Sequence, residues 1–128
     1  MNVIKRIMLG VLASMISTGS IAQDSVAVEW APYIKSSNVT DVELIKIADK
    51  LNLEFLSLQK GFIKRELIKK SETEYADIIH WDTQADAISA GGKAETCAVC
   101  AEYFKLMDAE ASSSAGAGFS YYSILKSW

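Results

Sequence analysis

The chain has 128 residues, half of them hydrophobic, with 13 Lys and Arg against 16 Asp and Glu and a formal net charge of −3. That length allows one domain with a single, modest core. An acidic balance without a basic run leaves no electrostatic footprint for nucleic acid.

The chain begins MNVIKRIMLGVLASMISTGSIAQ. Lys5 and Arg6 precede an apolar run from Ile7 to Ile16, and Ser20-Ile21-Ala22 supplies the small residues of a cleavage site. This order predicts a secretory signal peptide, residues 1–22, and a mature domain over 23–128. The apolar run is about half the roughly 20 residues of a spanning helix, so no membrane anchor is expected after cleavage. Without Lys5 and Arg6 the mature chain keeps 11 basic against 16 acidic residues, a net charge of −5. The expected location is the periplasm or the outside, where paired cysteines tend to be bridged.

VAVEWAPYIK, residues 26–35, alternates with period two. Val26, Val28 and Trp30 fall on one face and Ala27, Glu29 and Ala31 on the other, which predicts a strand. Pro32, the sole proline, cannot donate to a ladder and predicts an edge position or a bulge. The period then changes. Thr40 with Glu43 forms a capping box, and Leu44, Ala48, Leu51, Phe55 and Leu58 make one apolar stripe, predicting a helix that Gly61 ends.

GFIKRELIKK and EYADIIHWD, joined by a polar SET, predict a hairpin. A turn centred near Glu72 places Arg65 and Leu67 on one face with Asp77, Ile79 and Trp81, and Lys64 and Glu66 on the other with Ile78 and His80. From Thr83 to about Met107 a second helical region is predicted, broken or kinked at Gly91-Gly92. EASSSAGAG reads as a flexible loop and FSYYSIL as the last strand. The order β-α-β-β-α-β predicts an α+β, ferredoxin-like antiparallel sheet with both helices on one face. Nothing in so short a chain remains to cover the other face, so a homodimer with sheets face to face is expected.

LNLEFLSLQKGFIKRELIKK, YADIIHWDTQADAISA and YFKLMD together resemble the antibiotic biosynthesis monooxygenase-like family of dimeric α/β barrels. The resemblance covers roughly Val26 to Leu125. It implies a ferredoxin-like protomer, a dimer, and a pocket between sheet and helices. Activities in that superfamily include cofactor-independent oxygenation of polycyclic phenols, haem degradation and isomerisation. The haem-degrading type uses a first-strand asparagine, a tryptophan and a histidine on the second helix. Trp81 matches the tryptophan, but the first strand has no asparagine and no histidine follows His80.

Cys97 and Cys100 form a C-x-x-C pair in line with Ala101, Phe104 and Met107, a helical core stripe. Buried thiols, a structural disulfide and a redox or metal site all remain open. His80, the only histidine, is the side chain best suited to general base work near neutral pH. Together with the cysteines it could supply three metal ligands, but no spacing brings them together, and no metal site is expected. Trp81 is the residue expected nearest a ligand, mainly from the resemblance. Trp30, Tyr33 and Tyr121 could wall a pocket for a flat ring or fill a dimer interface. Arg65 is a candidate anchor for a phenolate or carboxylate, or a cross-strand partner of Asp77.

No phosphate loop, nucleophile elbow or flavin fingerprint is present, so no cofactor is expected. The leading expectation is an exported dimer that binds a small aromatic or quinone-like molecule. In its most specific form it is a cofactor-independent monooxygenase, with His80 taking a phenolic proton and Trp81 and Tyr33 holding the ring. A non-catalytic binding module is the alternative, and a thiol-redox protein using Cys97 and Cys100 comes third.

Overall fold

The computed structural model describes residues 25–128, so the expected signal peptide lies outside the described residues. Strand β1 (Ala27–Ile34) leads to helix α1 (Asp41–Glu54). A hairpin of β2 (Phe62–Lys69) and β3 (Glu74–Trp81) follows. Three helices, α2 (Gln84–Ala94), α3 (Ala98–Phe104) and α4 (Ala109–Ser114), then precede β4 (Ser120–Ser123). The sheet order is β2-β3-β1-β4 with every neighbouring pair antiparallel. This is the ferredoxin-like α+β arrangement that the element order predicts. Among the described residues no helix is long and apolar enough to cross a membrane.

The alternation in β1 sorts its side chains as expected, but the large apolar residues are on the outside. Ala27, Glu29 and Tyr33 are buried under the helices, whereas Val28, Trp30 and Pro32 are only half-buried. Small alanines on the inner face leave room for α1, which brings Leu44, Ala48 and Leu51 down onto the sheet. Thr40 and Glu43 form the capping box, each side chain accepting from the other residue's N–H, worth about 1 kcal/mol. Trp81, Tyr103, Leu44 and Cys100 are the largest fully buried side chains; burying aromatic surface of this size dominates the core energetics.

The hairpin pairs Lys69 with Tyr75, Leu67 with Asp77 and Arg65 with Ile79, as a turn centred near Glu72 requires. β1 is a central strand, so Pro32 is not at the edge of the sheet. However, β4 reaches only from Ala27 to Trp30 along β1. Ile34, two residues past Pro32, turns its N–H to Ser112 Oγ (2.9 Å) and its carbonyl to the N–H of Asp108 (2.8 Å), on the side where β4 has ended. By strand parity Pro32 presents its nitrogen to the same side. The proline therefore occupies a local edge.

Four expectations need correction. First, α1 stops at Glu54, passes into a 3₁₀ turn (Leu56–Leu58), and leaves Leu58 exposed. Gly61 belongs instead to the entry of β2, where φ is +81° and a Cβ would collide with Asp86. Second, α2 runs unbroken through Gly91-Gly92. Neither glycine needs a positive φ, and the buried Ala87 and Ala90 anchor the helix against their low propensity. The break comes at Glu95–Cys97. Third, the cysteines do not share a helical stripe. Cys97 is the N-cap of α3, its Sγ accepting from Cys100 N–H at 3.1 Å, while Ala101 and Phe104 are exposed. Fourth, much of the expected flexible loop is α4, capped by Asp108, whose Oδ1 accepts from Ala111 N–H at 2.9 Å.

Candidate functional site

A cavity of about 70 Å³ lies between the inner face of the sheet and the helices. Its floor is Glu29, Ile79 and Trp81; Leu51, Cys100 and Tyr103 stand around it. Phe104 and Phe119, 44% and 59% exposed, also border it and place aromatic edges where it meets solvent. The lining is overwhelmingly apolar, with a few converging polar groups, as in small-molecule sites.

Glu29 is the unusual group. It is 7% exposed, and its Oε1 accepts from Trp81 Nε1–H at 3.0 Å. Burial pushes its pKa up from 4.5 to about 7, the Trp81 bond pulling the other way and the nearby Asp77 charge adding to the rise. A carboxyl held near neutrality in an apolar cavity can take and return a proton. Tyr121 lies directly opposite Glu29 across β1 and β4, and burial, then the Glu29 charge, raise its phenol pKa.

A second polar group closes one side. Arg65 Nε donates to Asp77 Oδ1 (2.8 Å) and Nη1 to the Ala48 carbonyl (2.8 Å), while Tyr103 OH donates to Asp77 Oδ2 (2.8 Å). Tyr33 and Tyr103 share a hydroxyl bond of 2.9 Å. Burial, with Asp77 beside it, pushes the Tyr103 phenol far up, and burial does the same to Tyr33. Both hydroxyls therefore stay protonated. Burial alone lowers the Arg65 pKa, but the Asp77 carboxylate outweighs it and the net shift is upward. Arg65 Nη2 is buried without a hydrogen-bond partner. Its guanidinium lies over the Tyr103 ring, 5.0 Å from the centroid, at the cavity wall.

The expected site residues divide across the sheet. Trp81, Arg65 and Tyr121 face inward. Tyr33 also faces inward, with its hydroxyl engaged by Tyr103. His80 and Trp30 face outward, because consecutive strand residues point to opposite faces. His80 pairs with Val28 and Lys64 in the register, and its Nδ1 is buried without a partner. It cannot reach a ring held by Trp81 and Tyr33 inside the same protomer. Trp30 lines a separate cleft of about 250 Å³ with Pro32, Ile68 and Tyr75, and Tyr33 borders that cleft and not the inner cavity.

Cys97 and Cys100 are disulfide-bonded. Among the described residues no three His, Cys, Asp or Glu side chains gather as a metal site needs. Glu29 escaped the sequence reading because it sits on the small-residue face of β1. The usable signal was a lone acid between alanines on one strand, combined with an indole on another that needs an acceptor.

Comparison with solved structures then places the architecture. Two structures of SnoaB, a cofactor-independent oxygenase from Streptomyces nogalater, match over 81% of this chain and 96% of theirs, with a TM-score of 0.59. This chain has the SnoaB fold. Sequence identity is 12%, so the resemblance to antibiotic biosynthesis monooxygenase-like proteins holds at the level of fold. A candidate monooxygenase from Shewanella loihica aligns over 80% of this chain and 98% of its own, with 14% identity and a TM-score of 0.47. No family model matches the sequence. No curated protein matches it either.

Proposed function

We propose that the protein is an exported homodimer that takes a small, flat aromatic molecule into the inner cavity and oxygenates it without a bound cofactor. The observation that carries this reading is the buried Glu29 carboxyl, held near neutrality on the cavity floor and bonded to Trp81. The activity of SnoaB, a cofactor-independent oxygenase of the same fold, supports it. So does the apolar lining, which suits a ring.

Such a reaction needs a substrate with an acidic ring CH₂, as in an anthrone. Glu29 removes one proton, and the carbanion reduces dioxygen to form a peroxide, which takes that proton back from Glu29. Glu29 then removes the second C–H proton as the O–O bond breaks, and the departing hydroxide takes that proton back from Glu29, leaving a ring carbonyl and water. Arg65 Nη2, a buried donor in search of an acceptor, offers charge to the substrate oxygen as the carbanion forms.

The dimer rests on the outer sheet face, where Val28, Trp30, Ile78 and the 58%-exposed Tyr122 form an apolar surface. A second copy laid face to face would cover it. Export rests on the signal peptide that the sequence pattern of residues 1–22 predicts.

Oxygen uptake with dithranol, a hydroxylated anthrone, tests the reading. Wild-type protein should consume oxygen and yield the quinone, and Glu29→Gln should slow this by about 10² or more. Equal rates in the two proteins would refute the role of Glu29. Ring binding without oxygen uptake would select the binding module instead.

A further inference from the structure

We infer that the Cys97–Cys100 bridge is a thiol–disulfide exchange site whose reduction opens the cavity to its ligand. The link to the ligand rests on the ring-binding reading above; the exchange chemistry does not.

The two sulfurs are unequally placed. Cys97 is half-buried at the α2–α3 junction, whereas Cys100 is 1% exposed and forms part of the cavity wall. A thiolate arriving from solvent therefore meets Cys97 first. It attacks Cys97 Sγ, the S–S electron pair leaves with Cys100 Sγ, and that sulfur takes up a proton. The second thiol of the same external dithiol then attacks the external sulfur of that mixed disulfide, and the electron pair leaves with Cys97 Sγ, which takes up the second proton. The protein gains two electrons and two protons, and the external dithiol becomes a disulfide. Once Cys97 is free, the N–H of Cys100 stays positioned to hydrogen-bond its sulfur, the contact seen at 3.1 Å. That bond favours the thiolate and keeps the pair able to re-form.

The bridge spans a sequence separation of three, too short a loop to contribute much through chain entropy. The fold therefore has little need of it, and its placement makes better sense as control. Cys100 lies one turn before Tyr103, and both border the cavity. The bridge ties the first turn of α3 to the junction that precedes it. At about 70 Å³ the cavity is small beside the roughly 300 Å³ or more that encloses a typical ligand. Cutting the tie lets α3 draw away from the sheet at its N-terminal end and widens that wall.

The test uses the full mature protein. After graded exposure to dithiothreitol under native conditions, free thiols are trapped with iodoacetamide and located by peptide mass spectrometry. In parallel, dithranol binding is measured under nitrogen by calorimetry. Cys97 should be alkylated at least about tenfold faster than Cys100, and reduction should strengthen dithranol binding by about tenfold. The Cys97→Ser variant should bind like reduced protein and ignore dithiothreitol. Thiols released only in denaturant, or equal labelling of both, would overturn the exchange site. Selective labelling with unchanged binding would overturn the gate. Selective labelling with no binding in either form would leave the exchange site standing and remove the ring-binding reading.

Discussion

Glu29 and Trp81 are bonded along a diagonal of the sheet, not straight across it. The register sets Glu29 opposite Ile79 and Trp81 opposite Ala27, yet Nε1 and Oε1 are 3.0 Å apart. Alanine opposite the indole leaves it free to lean over the neighbouring row, a reach that long side chains have on one sheet face. The bond stabilises the charged carboxylate, while burial favours the neutral acid. Replacing Trp81 with Phe should therefore raise the Glu29 pKa and shift any pH-rate profile upward by roughly half to one unit. A profile that kept its midpoint would separate the two residues functionally.

The same carboxyl makes stability depend on pH. Its pKa is about 7 in the folded chain against 4.5 ordinarily, so the folded state holds a proton that the unfolded state has released between those values. Stability from this group is complete below pH 4.5 and is lost as pH rises through about 7. The total is up to about 3 kcal/mol. Urea unfolding at several pH values should show this decline in wild type, and Glu29→Gln should remove it.

The Arg65–Asp77 pair is a second point of sensitivity. Their side chains are 6% and 8% exposed. Arg65→Met should cost about 3–5 kcal/mol by stranding Asp77 and the Tyr103 hydroxyl that serves it. Adding Asp77→Leu should restore much of the loss, which a double-mutant cycle in urea would measure.

Gly61 should resist substitution. With φ at +81° and the Asp86 carboxylate in the path of an added Cβ, Gly61→Ala should destabilise by about 1–3 kcal/mol. Thermal melting would reveal it, and Gly91→Ala, with no atom within 4 Å of its added Cβ, provides the contrast.

On the outer face, Trp30→Lys should leave the protomer folded and shift sedimentation from dimer to monomer. Unchanged sedimentation would remove that face from the interface.

The fold was legible because its signals are local. The capping box marks the start of α1, the SET turn sets the hairpin register, and period-two alternation marks β1. The helix boundaries were not, because tertiary burial of Ala87 and Ala90 carries α2 across two glycines that propensity alone would reject. The inner cavity was legible only in part. Trp81 was singled out mainly by the resemblance, while which face of β1 lies inward depends on where α1 packs. That depends on alanines leaving space, a relation between elements absent from any single stretch of sequence. The same uncertainty separated His80 from its neighbour: one step along β3 carries the chain from the cavity to the opposite side of the sheet.

Pro32 has a consequence for solubility. Beyond Trp30 the chain offers a stretch of β1 with no neighbouring strand on one side, the kind of margin along which proteins zip into fibrils. An imide nitrogen there cannot donate to an incoming backbone, and Ile34 beyond it is already engaged by Ser112 and Asp108, so a ladder started by another molecule would be interrupted at its first rung. The short last strand can end early without turning the gap it leaves into a template for polymerisation.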